Sequence, residues 1–178
     1  MDINTAANIA EIGGGLAILV SLVYVGYQVR QSNRIASATA LQSILDAFST
    51  RSLTQYMEHP EKMDILIQGH HHYRQLSRHE ETFFNAWINK EVFHMQNVMQ
   101  FYEKGLIGKL DYLAWLAFTA AILKTPGGSE CWNQMKISYS PTIVETMDKY
   151  LRDNPSAPSL IDLFPRAYEL DCSDAGQT

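Results

Sequence analysis

The residues best suited to chemistry are Glu91 and His94, spaced as Glu-x-x-His. On a helix that spacing puts a carboxylate and an imidazole on one face, as in di-iron helical bundles. A centre of that kind takes two such motifs and further glutamates from facing helices, and the chain has no second Glu-x-x-His. The expectation is a polar pair hydrogen-bonded within a bundle, with no bound metal and no cofactor. The run His70-His71-His72 offers three imidazoles to an adventitious transition ion. Neighbouring side chains in regular structure cannot all face one ion, and structural metal sites draw on spaced positions. A solvated loop over residues 69–77 is therefore expected.

Nucleophilic and phosphate chemistry lack their signatures. There is no Gly-x-Ser-x-Gly and no Cys–His pattern, and Gly13-Gly14-Gly15 lies in an apolar run with no Lys or Ser directly after it. Cys131 and Cys172 form no Cys-x-x-Cys pair and read as free thiols. The net charge of −5 and the absence of a clustered basic face argue against a nucleic-acid partner.

The stretch that organises the chain precedes all of these groups. Residues 9–34 read IAEIGGGLAILVSLVYVGYQVRQSNR, without charge from Ile12 to Tyr27. A bilayer core about 30 Å thick needs about 20 mostly apolar helical residues. Residues 9–29 meet that length with Glu11 in the headgroup region. Tyr24 and Tyr27 fall where an aromatic belt lies, and Arg30 and Arg34 close the segment on its basic side. Residues 1–10 contain no Lys or Arg, so the rule of excess cytoplasmic positive charge puts the N-terminus outside and the C-terminal bulk inside. A signal peptide would need a basic n-region, which is missing. A buried helix of a soluble bundle is the competing expectation. Gly13, Ala17 and Ser21, four apart, line one stripe of the span; small residues at that spacing let two membrane helices approach.

The other elements follow from breakers and periodicity. No glycine or proline lies between Tyr27 and Glu58, so the span runs on as an amphipathic helix with Ile35, Ala38, Leu41, Ile44, Leu45 and Phe48 on its apolar side. It ends at His59-Pro60. A short helix follows over 61–68, stopped by Gly69. Ser77-x-x-Glu80 is a capping box that opens a helix over 78–104, with Gly105 as its stop. A core helix over 109–124 is broken by Pro126-Gly127-Gly128. Helices over 129–137 and 142–152 come next, the latter capped by Ser140 with Pro141 in its first turn. Residues 173–178 are expected to fray.

The expected fold is all-α. A short extracytoplasmic tail (1–8) leads into one transmembrane helix (9–29), a cytoplasmic helical bundle (30–152) and a C-terminal tail (153–178) with a possible short helix. Two functions from different classes fit. One is an accessory or scaffold subunit acting through protein contacts, as a homo-oligomer or with another membrane subunit. The other is a sensor or enzyme holding a small ligand among Phe83, Phe84, Trp87, Trp115, Phe118 and Trp132.

The N-terminal segment, then FYEKGLI, PGGSECW and YSP, resemble a family of small uncharacterised bacterial membrane proteins over roughly residues 8–145. The resemblance implies a bacterial source, location in the inner membrane and the architecture just described. It implies no activity. The chain departs from that family in its three consecutive glycines, where bulkier residues usually sit.

Overall fold

The computed structural model describes the backbone of residues 3–169, and the side chains within that range except at 3–12, 45 and 47–58. Seven α-helices follow one another: α1 Ile3–Glu58, α2 Pro60–His72, α3 Arg78–Glu103, α4 Lys109–Leu123, α5 Pro126–Met135, α6 Pro141–Asp153 and α7 Leu160–Leu163. Short 3-10 turns, Tyr73–Gln75 and Lys136–Ser138, follow α2 and α5. No strand occurs among the described residues, so the all-α expectation holds.

Helix α3 is the axis of the bundle, packed by α4, α2, α1 and α5. Phe84, Ile88, Val92, Met95 and Val98 recur every three or four residues and are all at most 1% exposed, the pattern of a helix with one buried stripe. Each such side chain contributes about 1.5–3 kcal/mol by leaving water. Its start is the expected capping box: Ser77 N donates to Glu80 Oε2 and Glu80 N to Ser77 Oγ. Its end is a Schellman motif. Gly105 takes φ +67°, Leu106 N donates to Phe101 O at 2.8 Å and Gly105 N to Tyr102 O at 2.9 Å. The chain then reverses directly into α4.

Helix α1 ends before His59, whose φ −137° and ψ 74° lie outside the helical region, which a following proline disfavours. Among the described side chains of α1, those that join the bundle lie in its far part. Ala40 and Ile44 are buried, whereas Ile35 and Ala38 are exposed, so the amphipathic face engages later than its spacing suggests. Leu45 and Phe48 lie outside the described side chains.

Three expectations are corrected. Gly69 does not stop α2, which continues through the histidines to His72. A Cβ at Gly69 would run into the ring of Phe84, so packing selects this glycine. Pro126-Gly127-Gly128 does not precede α5 but forms its first turn, with Thr125 as N-cap and Pro126 in the position where no N–H is needed. A Cβ at Gly127 would strike the carbonyl oxygen of Gly69, so the two glycines bring α2 and α5 into backbone contact. Ser140 makes no side-chain cap to α6, although Pro141 does sit in its first turn. Farther on, Lys124 Nζ donates to the carbonyls of Asn154 (3.0 Å), Pro155 (2.8 Å) and Ala157, tying the α6–α7 loop to the end of α4.

Candidate functional site

The exposed half of α1 is the largest feature the bundle leaves uncovered. Residues 13–36 are exposed, including Leu16, Ile18, Leu19, Val20, Leu22, Val23 and Val25, each at least half accessible. Consecutive residues on a helix turn by about 100°, so this surface is apolar on every side rather than along one stripe. Tyr24, Tyr27, Arg30 and Arg34 are exposed beyond it. Gly13, Ala17 and Ser21 are exposed too, and nothing lies within 4 Å of a Cβ built at Gly13. The hydroxyl of Ser21 donates to Ala17 O at 2.8 Å, so its proton is used within the helix and its lone pairs face outward. No helix among the described residues is long and apolar enough to cross a membrane. The side chains of residues 9–12, the first turn of the span expected at 9–29, lie outside the described residues, as do those of the tail at 1–8.

Glu91 and His94 share one face of α3, but they do not form the hydrogen-bonded pair expected of them. Glu91 is buried and takes an ion pair from the adjacent Lys90, Nζ to Oε1 2.9 Å. The His94 ring meets the half-buried Trp115 edge-on at 4.9 Å, and its Nε2 is buried with no hydrogen-bond partner among the described residues. Burial lowers the His94 pKa, Glu91 opposes that and Lys90 adds to it, so the neutral ring prevails at neutral pH. No group of three or more His, Cys, Asp or Glu among the described residues can hold a metal ion.

The histidine run is the site that spacing alone misplaced. Instead of a solvated loop, it forms the last turn of α2. His70 is fully buried and sits edge-to-face with Phe84, Trp87 and Tyr168 at 5.0, 5.2 and 5.3 Å. Its Nδ1 lies 2.8 Å from Thr125 Oγ1. Its Nε2 has no partner among the described residues, nor has Nε1 of the neighbouring Trp87. Desolvation, with a smaller contribution from His71, drives the His70 pKa down to about 3. His71 Nε2 donates to the backbone carbonyl of Tyr168 at 2.8 Å, and His72 is exposed. The signal that places His70 inside is its register: Leu66, His70 and Tyr73, spaced four and three, are all buried.

A second polar cluster surrounds Tyr73. Its hydroxyl lies 2.9 Å from Asn85 Oδ1 and 3.1 Å from Glu81 Oε1, and burial pushes its pKa up to about 12. Cys131 Sγ is 3.2 Å from the same Asn85 oxygen, and burial holds its thiol at about 12. A thiol so protonated is inert as a nucleophile. Cys172 lies outside the described residues. Of the six aromatic residues proposed to line a ligand site, Phe84 and Trp132 are buried core. Trp132 stacks on Tyr139 and donates from Nε1 to Asp148 at 2.8 Å. The described surface clefts are lined by other residues, such as Tyr112, Glu145, Lys149 and Asp153 between α4 and α6.

Comparison of the chain with family models, with curated proteins and with solved structures finds no match in any of the three.

Proposed function

We propose that the chain is a single-pass membrane protein of the bacterial inner membrane, its helical bundle in the cytoplasm, that acts through protein–protein contacts as an accessory or scaffold subunit. The observation that carries this reading is the all-round apolar surface of α1 over residues 16–25. A helix apolar on every face is stable only within a large core or within lipid, and the bundle does not supply the core. An interfacial helix or a groove-bound helix would be apolar along one face only. Residues 13–29 fall at the short limit of a span, and Ile9, Ala10 and Ile12 bring it to the required length of about 20. Arg30, Arg34 and Arg51 on one side, with none before them, give the orientation. The resemblance to small bacterial membrane proteins agrees with that placement.

Fractionation tests the reading. The untagged protein should stay with membranes through carbonate washing, a Leu19→Arg/Val23→Arg variant should move to the supernatant, and a C-terminal reporter should be active in the cytoplasm. Wild-type protein in the soluble fraction after ultracentrifugation overturns the anchor.

The second reading, a sensor or enzyme with a small ligand among the aromatic helices, has one observation in its favour. Trp87 Nε1 and His94 Nε2 are both buried without a partner among the described residues and stand seven apart on one face of α3, and buried polar atoms without partners call for a water or a ligand. Mass spectrometry of protein purified in mild detergent separates the two: co-purifying protein favours the scaffold, and a stoichiometric small molecule favours the sensor.

A further inference from the structure

We propose that the segment 164–169 is an acid-released latch, closed by Tyr168 over the imidazole of His70. Three observations place the device. The Tyr168 ring covers His70 edge-to-face at 5.3 Å. One residue on, His71 Nε2 holds the carbonyl of Tyr168 at 2.8 Å. Within the segment, Ala167 N and Tyr168 N both donate to Phe164 O, at 3.0 and 3.2 Å, and residues 162–167 are exposed.

Closure requires a neutral His70. Nδ1 is taken by Thr125, and a proton on Nε2 would find no acceptor among the described residues. Among the described residues, the groups shown against the ring carry no counter-charge. From α3 come the rings of Phe84 and Trp87, from the start of α5 the hydroxyl of Thr125, and from the segment 164–169 the phenol ring of Tyr168. Of the acids on the elements around the ring, Glu81 bonds Tyr73, Glu91 pairs with Lys90 and Glu130 with Arg74, and Glu169, beside Tyr168, is exposed. His71, the titratable neighbour that acts on His70, disfavours its charge. The His71–Tyr168 bond survives protonation of His71, because that imidazole donates in either state.

The sign follows from proton linkage. With the segment closed, burial holds the His70 pKa at about 3, and release, by letting water reach the ring, moves it toward the ordinary 6.5. The closed form therefore binds fewer protons between those values, and closure weakens as pH falls from 6.5 toward 3. Between pH 7.5 and 5.5 the ratio of released to closed segment therefore rises.

Hydrogen exchange on the full chain in mild detergent reads this directly. After correction for the intrinsic rate, protection of the Ala167 and Tyr168 amides should fall from pH 7.5 to 5.5, while the amides of Ile88 and Val92 in α3 keep theirs. His70→Phe, which fills the same space without titrating, should abolish the pH dependence. As a check that does not require that variant to fold, Tyr168→Ala should raise the His70 titration midpoint, followed by NMR, toward its ordinary value. The latch is overturned by equal protection at both pH values, by an unchanged pH dependence in His70→Phe, by loss in step with α3, or by an unmoved His70 midpoint in Tyr168→Ala.

Discussion

Thr125 Oγ1 and His70 Nδ1 meet 2.8 Å apart across 55 positions of sequence. The same hydroxyl lies 2.9 Å from Ile122 O and 3.0 Å from Gly128 N. A hydroxyl has one proton and two lone pairs. With the proton given to Ile122, it accepts from Gly128 N–H and from His70 Nδ1–H, which leaves His70 Nε2 as a bare lone pair. That tautomer is inferred from the network. One threonine thus starts α5, seals the end of α4 and fixes the imidazole of α2.

Thr125→Val keeps the shape and removes all three bonds. It should cost about 2–4 kcal/mol, from a lost cap of about 1 and a buried imidazole nitrogen left unpaired at about 1–3. Urea unfolding measures it, and a loss below about 0.5 kcal/mol would mean that water replaces the hydroxyl.

How much of this was legible in the sequence depends on the kind of signal. Ser77-x-x-Glu80 and Gly105 were read correctly because a cap and a left-handed turn are local demands, met by residue type alone. Gly69, Gly127 and Gly128 were misread because their reason is tertiary: each glycine is there for what a Cβ would hit on another segment, or on the preceding turn. The histidine run was misread for a related reason. Three identical polar residues suggest solvent, yet successive positions on a helix face different surroundings, so His70 is buried, His71 bonds the segment 164–169 and His72 is exposed. Glu91 and His94 were rightly placed on one face, but the choice of Lys90 and Trp115 as their neighbours depends on packing that spacing does not encode.

The glycines can be ranked by experiment. Gly127→Ala should destabilise by about 3 kcal/mol, because backbone of α2 stands where the methyl would go. Gly105→Ala should cost about 1 kcal/mol through its positive φ alone. Gly14→Ala, in a helix interior with open space around it, should stabilise by about 0.5–1 kcal/mol. Thermal unfolding of the three variants should reproduce that order; Gly127→Ala matching Gly14→Ala would contradict the α2–α5 contact.

His94 gives a test that distinguishes an orphan from a ligand. If Nε2 is merely unpaired, His94→Phe removes a desolvated polar atom and should change stability by less than about 1 kcal/mol. If it holds a metal, elemental analysis of untagged protein should find close to one ion per chain, lost in Glu91→Ala and His94→Phe. The expected outcome is no stoichiometric iron or zinc, since the facing helices supply no third ligand among the described residues.

The exposed part of α1 offers a surface for a second helix. In lipid there is little hydrophobic drive between helices, so association depends on close packing and on hydrogen bonds. Gly13, Ala17 and Ser21 form the narrowest stripe of the proposed span, and open space surrounds Gly13 and Gly14. Since the Ser21 proton is already given to Ala17, Ser21 can serve a neighbour only as an acceptor, and backbone approach at Gly13 and Ala17 becomes the main term. Gly13→Leu and Ala17→Leu should therefore weaken crosslinking of the span to a second copy or to another membrane subunit, with Ser21→Ala having a smaller effect, at most about 0.6–2 kcal/mol. Leu16→Ile and Val20→Ile, off the stripe, should leave it unchanged. If all five variants crosslink like wild type, the stripe makes no contact and α1 serves as a plain anchor.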